Sequence, residues 1–210
     1  MTGITELRRT MEEIYRRDAA HLPTWPDPHA DRSPTDDEYS RVLDPAKWRI
    51  VTARADAWAT ALTQLGVAEL ARDAAVEWLI PHGSPLVRID RLVSRRPGAL
   101  PLVLGYRGFE SLDDNALVVA AADPAAELEL VPHCGCDACD HGSEEVLEVI
   151  DGAITSVVCG VYRRLTDGDR WIDVRADGWS ASGEFGDHEI DDALRSPKGW
   201  SEVSGSSWLD

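Results

Sequence analysis

Hydrophobic residues recur at helical spacing in the first third of the chain. Residues 4–18 carry apolar side chains at intervals of three and four, opposite Glu and Arg, which predicts an amphipathic helix. Residues 21–34 contain four prolines and predict an extended connector. Asp44, followed directly by a proline, predicts the start of a second long helix that ends at Gly66. We therefore expect a helical segment over residues 1–70.

Further along the chain the pattern changes to alternating apolar and polar positions, which is typical of strands. Residues 86–107 predict a hairpin, residues 117–131 predict two more strands, and residues 171–185 predict a final pair. One long helix is predicted over residues 143–164, where two acidic residues in the first turn precede an apolar stripe. The expected fold is α+β, with N-terminal helices followed by a mostly antiparallel sheet, over residues 71–185, on which the long helix packs.

The last 25 residues have a different composition. Residues 186–210 are polar, acidic and rich in Ser and Gly, and they predict a tail held at most by Trp200 or Trp208. Because no long flexible linker separates residues 1–70 from the sheet, we expect one compact domain overall.

Composition and charge exclude several classes of partner. A chain of 210 residues is long enough to bury a core without metal or disulfides. Its net charge of −17 argues against nucleic acid and against an anionic membrane surface, since both require a basic face. It contains neither a signal-like apolar segment nor a run approaching the ~18 apolar residues of a membrane span, so we expect a soluble cytoplasmic protein. Thiols stay reduced in that compartment.

The acidic residues are concentrated in one stretch. Residues 108–162 contain twelve Asp or Glu and no Lys or Arg. Such a run favours a non-enzymatic binding or interaction domain whose acidic face, over residues 110–151, meets a basic protein partner.

Three of the four cysteines lie within six positions of that stretch. Cys134, Cys136 and Cys139 could supply three of the four tetrahedral ligands that zinc prefers. The candidate fourth donors are the neighbouring side chains His133, His141, Asp137 and Asp140. Cys159 does not complete the site easily, because it lies roughly 24 Å further along the predicted helix. A metal-stabilised module, with zinc as cofactor, is therefore the second hypothesis.

The same cysteines allow two other interpretations. The spacing of Cys136 and Cys139 is that of a thiol redox enzyme, but the nearby carboxylates would raise a thiol pKa rather than lower it. Alternatively, the segment is a compact turn in which the cysteines pack as small hydrophobes or form a fortuitous disulfide.

Motifs of other enzyme classes are absent from the sequence, which contains neither a nucleotide-binding glycine motif nor a metalloprotease or hydrolase signature. His82 and Ser84 lie two residues apart, but no third orienting group is evident. We assign no catalytic residue, and the balance leans toward a non-enzyme.

The string Cys-Gly-Cys-Asp-Ala-Cys-Asp at residues 134–140 resembles an uncharacterised family of high-GC Gram-positive bacterial proteins, a domain of unknown function of about this length. The resemblance covers most of the chain and is most specific over residues 131–185. It implies that the three cysteines and their flanking aspartates belong to the family pattern and that the two histidines do not. A carboxylate, a water molecule or a partner would then supply the fourth donor. The resemblance implies no activity.

Overall fold

The computed structural model describes residues 2–81 and 83–209, so His82 lies outside the described residues. Within these ranges the helices are α1 (Ile4–Asp18), α2 (Arg49–Gln64), α3 (Ser143–Val158) and α4 (Glu189–Arg195). The strands are β1 (Ala68–Ala71), β2 (Arg88–Ser94), β3 (Leu102–Arg107), β4 (Ala116–Ala121), β5 (Ala126–Val131), β6 (Arg163–Asp167), β7 (Arg170–Arg175), β8 (Gly178–Ser182) and β9 (Ser201–Ser204). Short 3₁₀ turns lie at Asp36–Ser40, Pro45–Trp48 and Asp137–Cys139.

The strands form two sheets rather than one. The first has the order β1-β2-β3-β4-β5 and the second β8-β7-β6-β9. Every pair of neighbouring strands in both sheets is antiparallel. The α+β fold with N-terminal helices followed by antiparallel sheet is therefore confirmed.

The main core lies between the first sheet and helices α1, α2 and α3. Alternate residues of β3, namely Leu102, Leu104 and Tyr106, point into it, as the two-residue repeat of a strand requires. Trp48 and Trp58 are fully buried in the same core, as expected for a packing stripe on α2 and the turn before it. The core runs without interruption from the N-terminal helices to Trp208, so both parts of the chain share it.

Helix α3 ends six residues earlier than the predicted range of 143–164. Gly160 has a φ of +67°, and a Cβ at this position would lie 2.5 Å from the backbone nitrogen of Ser207. Glycine therefore ends the helix at a close backbone approach, and β6 begins at Arg163. The prediction was longer because Val161 continues the apolar spacing of the helix. In the structure Val161 is 42% exposed and lies after the helix in an irregular segment.

The expectation of a tail over residues 186–210 also requires correction. These residues contain α4 and β9, and β9 pairs with β6 to complete the second sheet. Trp200 stacks on Phe185 at a centroid distance of 6.1 Å. Trp208 is 3% exposed, and its indole donates to the carbonyl of Leu100 at 3.1 Å. In the described part of the chain no helix is both long and apolar enough to cross a membrane.

Candidate metal centre

The cysteine cluster lies in the loop that joins β5 to α3, after a strand and before a helix as the sequence predicts. Gly135, between the first two cysteines, has a φ of +70°, and a Cβ there would lie 2.7 Å from the ring of Phe109. This position therefore needs glycine on both conformational and steric grounds. The 3₁₀ turn Asp137–Cys139 then folds the third cysteine back toward the first two.

The three thiols converge. The sulfur atoms of Cys134, Cys136 and Cys139 all lie within 4.8 Å of one another, and those of Cys134 and Cys136 are 3.2 Å apart. All three cysteines are free thiols; Cys136 is buried, whereas the other two are exposed. The loop thus gathers three soft ligand atoms that remain open to solvent on one side.

The pKa values of Cys134 and Cys139 are shifted in opposite directions. Burial opposes ionisation of Cys134, but hydrogen bonds from the backbone N–H and thiol of Cys136 and from the Cys139 thiol lower its pKa below the ordinary value. Hydrogen bonding to the Cys134 and Cys136 sulfurs, followed by burial, raises the pKa of Cys139 to about 12. The lowered pKa of Cys134 differs from the increase expected from the nearby carboxylates. The thiolate is also the form that binds metal.

Those carboxylates are already neutralised by cations from distant segments. Asp137 accepts from Arg41 Nε at 2.8 Å and from the backbone N–H of Leu43 at 3.0 Å. Although burial opposes ionisation, these donors hold the pKa of Asp137 below its usual value. The backbone N–H of Asp137 donates in return to the carbonyl of Arg41 at 2.8 Å. The first aspartate of the motif therefore fixes the loop to residues 41–43.

Asp140 forms the second attachment and is almost completely buried. Its carboxylate accepts from the indole of Trp25 at 2.8 Å, from Lys47 Nζ at 2.6 Å and from the backbone N–H of Gly142 at 2.9 Å. A buried carboxylate with three donors is held in one position. The second aspartate thus links the cysteine turn both to the proline-rich connector and to the turn before α2.

The connector itself is part of this support. The backbone N–H of Ser143 donates to the carbonyl of Trp25 at 3.0 Å, and the Ser143 hydroxyl contacts both backbone groups of Trp25. The ring of His29 is buried and contacts the Asp140 carbonyl through Nδ1 at 3.2 Å. The proline pattern predicted the connector but not this role. Lys47 was a sequence feature that could have indicated this role, because a chain with 21 basic residues contains only two lysines.

The candidate fourth donors have different positions. Asp137 and Asp140 are used in ion pairs, whereas His133 and His141 lie on exposed parts of the loop. Of the described residues, only the three cysteines form a group of three or more potential ligands close enough to share an ion. Cys159 lies at the C-terminal end of α3, outside this group.

An apolar cavity adjoins the thiols. It has a volume of about 300 Å³, and Cys134 and Cys139 form part of its wall. The remaining lining is largely apolar and includes Trp48, Pro132 and Val146. A molecule in this cavity would lie directly beside the exposed sulfur atoms.

The acid-only stretch does not form a uniformly uncompensated face. At least six of its twelve carboxylates form ion pairs with cations from elsewhere in the chain: Asp114, Asp123, Glu129, Asp137, Asp140 and Asp151. Three exposed carboxylates, those of Glu144, Glu145 and Glu148, cluster at the start of α3. The exposed acidic surface is therefore smaller than the sequence indicates.

Comparison with known families gives one match. The profile of a family described as "Family of unknown function (DUF6226)" matches residues 11–208, which is nearly the whole chain and includes the cysteine loop. No curated protein and no solved structure matches the chain.

Proposed function

The chain belongs to the family of unknown function DUF6226, and we propose that its three neighbouring cysteines bind a thiophilic metal ion. The convergence of three free thiols within 4.8 Å is the observation that carries this proposal. Zinc is the first candidate, because thiolates are among its preferred ligands and it needs no redox chemistry.

The spacing of the sulfur atoms suits such an ion. A zinc–sulfur bond of about 2.3 Å places the sulfurs of a tetrahedral site about 3.8 Å apart. Sulfur atoms that lie within 4.8 Å of one another, with one pair at 3.2 Å, reach that spacing through small side-chain rotations. Because the ion pairs of Asp137 and Asp140 hold the cysteine loop in place, most of the loop becomes ordered on folding rather than on metal binding.

The fourth coordination position is proposed to be exchangeable. Asp137 and Asp140 already balance Arg41 and Lys47, so recruiting either carboxylate would leave a cation without its partner. Water, one of the flanking histidines or an external ligand is then the remaining donor. A three-ligand site with an open position is typical of metal centres that bind or activate small molecules, whereas structural sites are closed. The adjoining apolar cavity gives such a ligand a place to lie.

Metal titration tests the proposal directly. Protein purified without a tag or chelator is analysed for bound elements, stripped, and titrated with Zn²⁺ and with Co²⁺, whose thiolate complexes absorb visible light. We expect about one equivalent per chain and an increase in melting temperature, since binding to the folded state alone stabilises it by about 2.7 kcal/mol at a hundredfold excess over Kd.

Matched variants identify the ligands. Cys134→Ser, Cys136→Ser and Cys139→Ser should each abolish the cobalt–thiolate absorption, whereas Cys159→Ser, which removes a thiol outside the group, should retain it. Binding that survives the simultaneous replacement of the three cysteines would contradict the proposal.

Interaction with a basic protein partner is the second candidate. It is supported by the net charge of −17 and by the exposed cluster of Glu144, Glu145 and Glu148. An arginine-rich peptide should bind this cluster, and the affinity should fall as salt is raised from low to physiological concentration. Replacing the three residues by Gln should weaken binding, whereas replacing the exposed Glu13 should not. Salt-insensitive binding would exclude this interpretation.

A further inference from the structure

A second cavity lies between the two sheets, and His133, the residue before Cys134, lines both this cavity and the one beside the thiols. It has a volume of about 610 Å³ and is bounded by β5 of the first sheet and by residues of β6, β7 and β8 of the second. Its polar lining includes Arg107, Arg164 and Arg175, and Trp171 contributes an aromatic wall. Glu127 and Glu129 line it as well, so the cavity holds three arginines and two carboxylates.

Among the described residues, the side chain of Arg107 has no ion-pair or hydrogen-bond partner. It is the last residue of β3 and lies, like Val103, on the face of the sheet that points away from the helices. Its Nε is buried and has no hydrogen-bond partner within the described part of the chain. A partly buried guanidinium that lacks an acceptor is costly unless a ligand supplies one.

Arg164 offers a second unpaired N–H group, at its Nε. Its side chain is 6% exposed, and Nη1 donates to Asp173 at 3.1 Å. Its guanidinium lies 4.5 Å from the ring centroid of Trp171, yet its buried Nε has no partner. The carboxylate of Asp173 thus accepts from only some of the five N–H groups of the Arg164 guanidinium.

The acids of the lining do not neutralise Arg107. Glu129 pairs with Arg175, which also donates to the Leu128 carbonyl at 3.2 Å and so attaches the second sheet to β5. Glu127 has its own interaction partner. Arg175 and Glu129 therefore pair at the wall of the cavity, Arg107 has no carboxylate partner among the described residues, and Arg164 keeps an unpaired Nε beside its ion pair with Asp173.

We propose that this cavity binds a small organic anion, whose carboxylate or phosphate group is held by Arg107 and Arg164 and whose body packs on Trp171. Guanidinium forks match the geometry of both anionic groups. The volume lies within the range of small-molecule sites, and the apolar residues Leu79 and Ile80 at its margin favour an organic body over a bare inorganic ion. None of the three cysteines lines this cavity, so the proposed anion site does not use the thiols.

Phenyl phosphate, benzoate and the neutral analogue benzyl alcohol are suitable probes. Each is titrated into the full chain while the indole N–H resonance of Trp171 is followed by NMR. We expect saturable shifts with at least one anion and none with benzyl alcohol, and the stronger of the two anions identifies the group that the site prefers. No saturable binding of either anion, or equal binding of the alcohol, would overturn the proposal.

The decisive variant is Arg107→Gln. Because Arg107 has no internal ion pair, the variant should keep its melting temperature while the affinity for the anion falls about tenfold or more. Arg95→Gln removes the same charge at an exposed site that does not line the cavity and should leave affinity unchanged. Unchanged affinity in Arg107→Gln would refute the assignment. The triple Cys→Ser variant should bind the anion normally, which separates this result from that of the metal site.

Discussion

The ammonium group of Lys47 lies 2.6 Å from a carboxylate oxygen of Asp140, the residue directly after Cys139. The side chains are 16% and 3% exposed, and Lys47 also lies 5.2 Å from the ring centroids of Trp25 and Trp48. The pair therefore joins the cysteine turn to the segment before α2 in a largely water-free environment. Removing one member of such a pair leaves the other charge uncompensated.

Lys47→Met should consequently lower the free energy of unfolding by about 3 kcal/mol, since Asp140 would remain buried with only neutral donors. Urea denaturation followed by tryptophan fluorescence measures the change. Lys198→Met is the matched control, because it removes the only other lysine from an exposed position and should alter stability by less than about 0.5 kcal/mol. Equal effects of the two substitutions would show that the pair does not stabilise the fold.

Gly142 fixes the contact between the cysteine loop and the proline-rich connector. Its φ of 89° and ψ of 160° lie in a region that is essentially restricted to glycine, and a Cβ would lie 2.6 Å from the backbone nitrogen of Asp27. Gly142→Ala should therefore displace the connector and destabilise the protein by more than about 2 kcal/mol.

The control for this substitution is Gly168→Ala. Gly168 also has a positive φ, +61°, but nothing lies within 4 Å of the position that the new methyl group would take, so only backbone strain of about 1 kcal/mol is expected. Denaturation curves of the two variants separate strain from steric exclusion. If both variants lose the same stability, the close approach of the connector does not matter.

Asp173 gives the protein a specific dependence on pH. Burial raises the pKa of Asp173 to about 6, and the opposing effects of Arg164 and the Tyr162 hydroxyl do not cancel it. Because the unfolded-state value is about 3.9, the native state binds this proton more tightly. The resulting stability is fully present below about pH 4 and is lost as the pH rises through about 6, a change of about 3 kcal/mol.

Urea denaturation of the wild type and of Asp173→Asn between these pH values tests the sign. The stability of the wild type relative to the variant should fall as the pH rises, because the variant lacks the titrating group. Asp169→Asn, in an exposed turn, is the control. A difference between wild type and Asp173→Asn that stays constant with pH would contradict the assignment.

Local patterns were sufficient to predict the elements that carry strong periodicity. The apolar stripe of α1 and the hairpin of β2 and β3 depend on neighbours in the sequence, and the structure has both. The strand β1 is only four residues long, and its spacing gives no comparable signal. Short elements such as β1 form because their partner strand is present, and that is a tertiary effect.

Of the candidate metal centre, only the three cysteines themselves were predictable from the sequence. Three cysteines within six positions must lie close together, because the chain between them is short. The supports of that turn are different: Asp140 meets Lys47 and Trp25 across 93 and 115 positions of the sequence. Contacts of that separation have no local pattern, so the role of the proline-rich connector became visible only in the fold.

The packing of the last residues was also not predictable, because their mostly polar composition does not indicate that Trp208 is buried. Trp208 is 3% exposed, whereas Trp179 on β8 is 50% exposed. Trp208→Ala should lower the free energy of unfolding by about 3 to 5 kcal/mol, since it empties a core position and removes the hydrogen bond to Leu100. Trp179→Ala, which deletes the same side chain at the surface, should cost less than about 1 kcal/mol. Chemical denaturation of both variants checks the difference. Near-equal stabilities would mean that the burial of Trp208 adds little to the free energy of unfolding, while a large gap would mean that the core is completed only when the C-terminal residues pack into it.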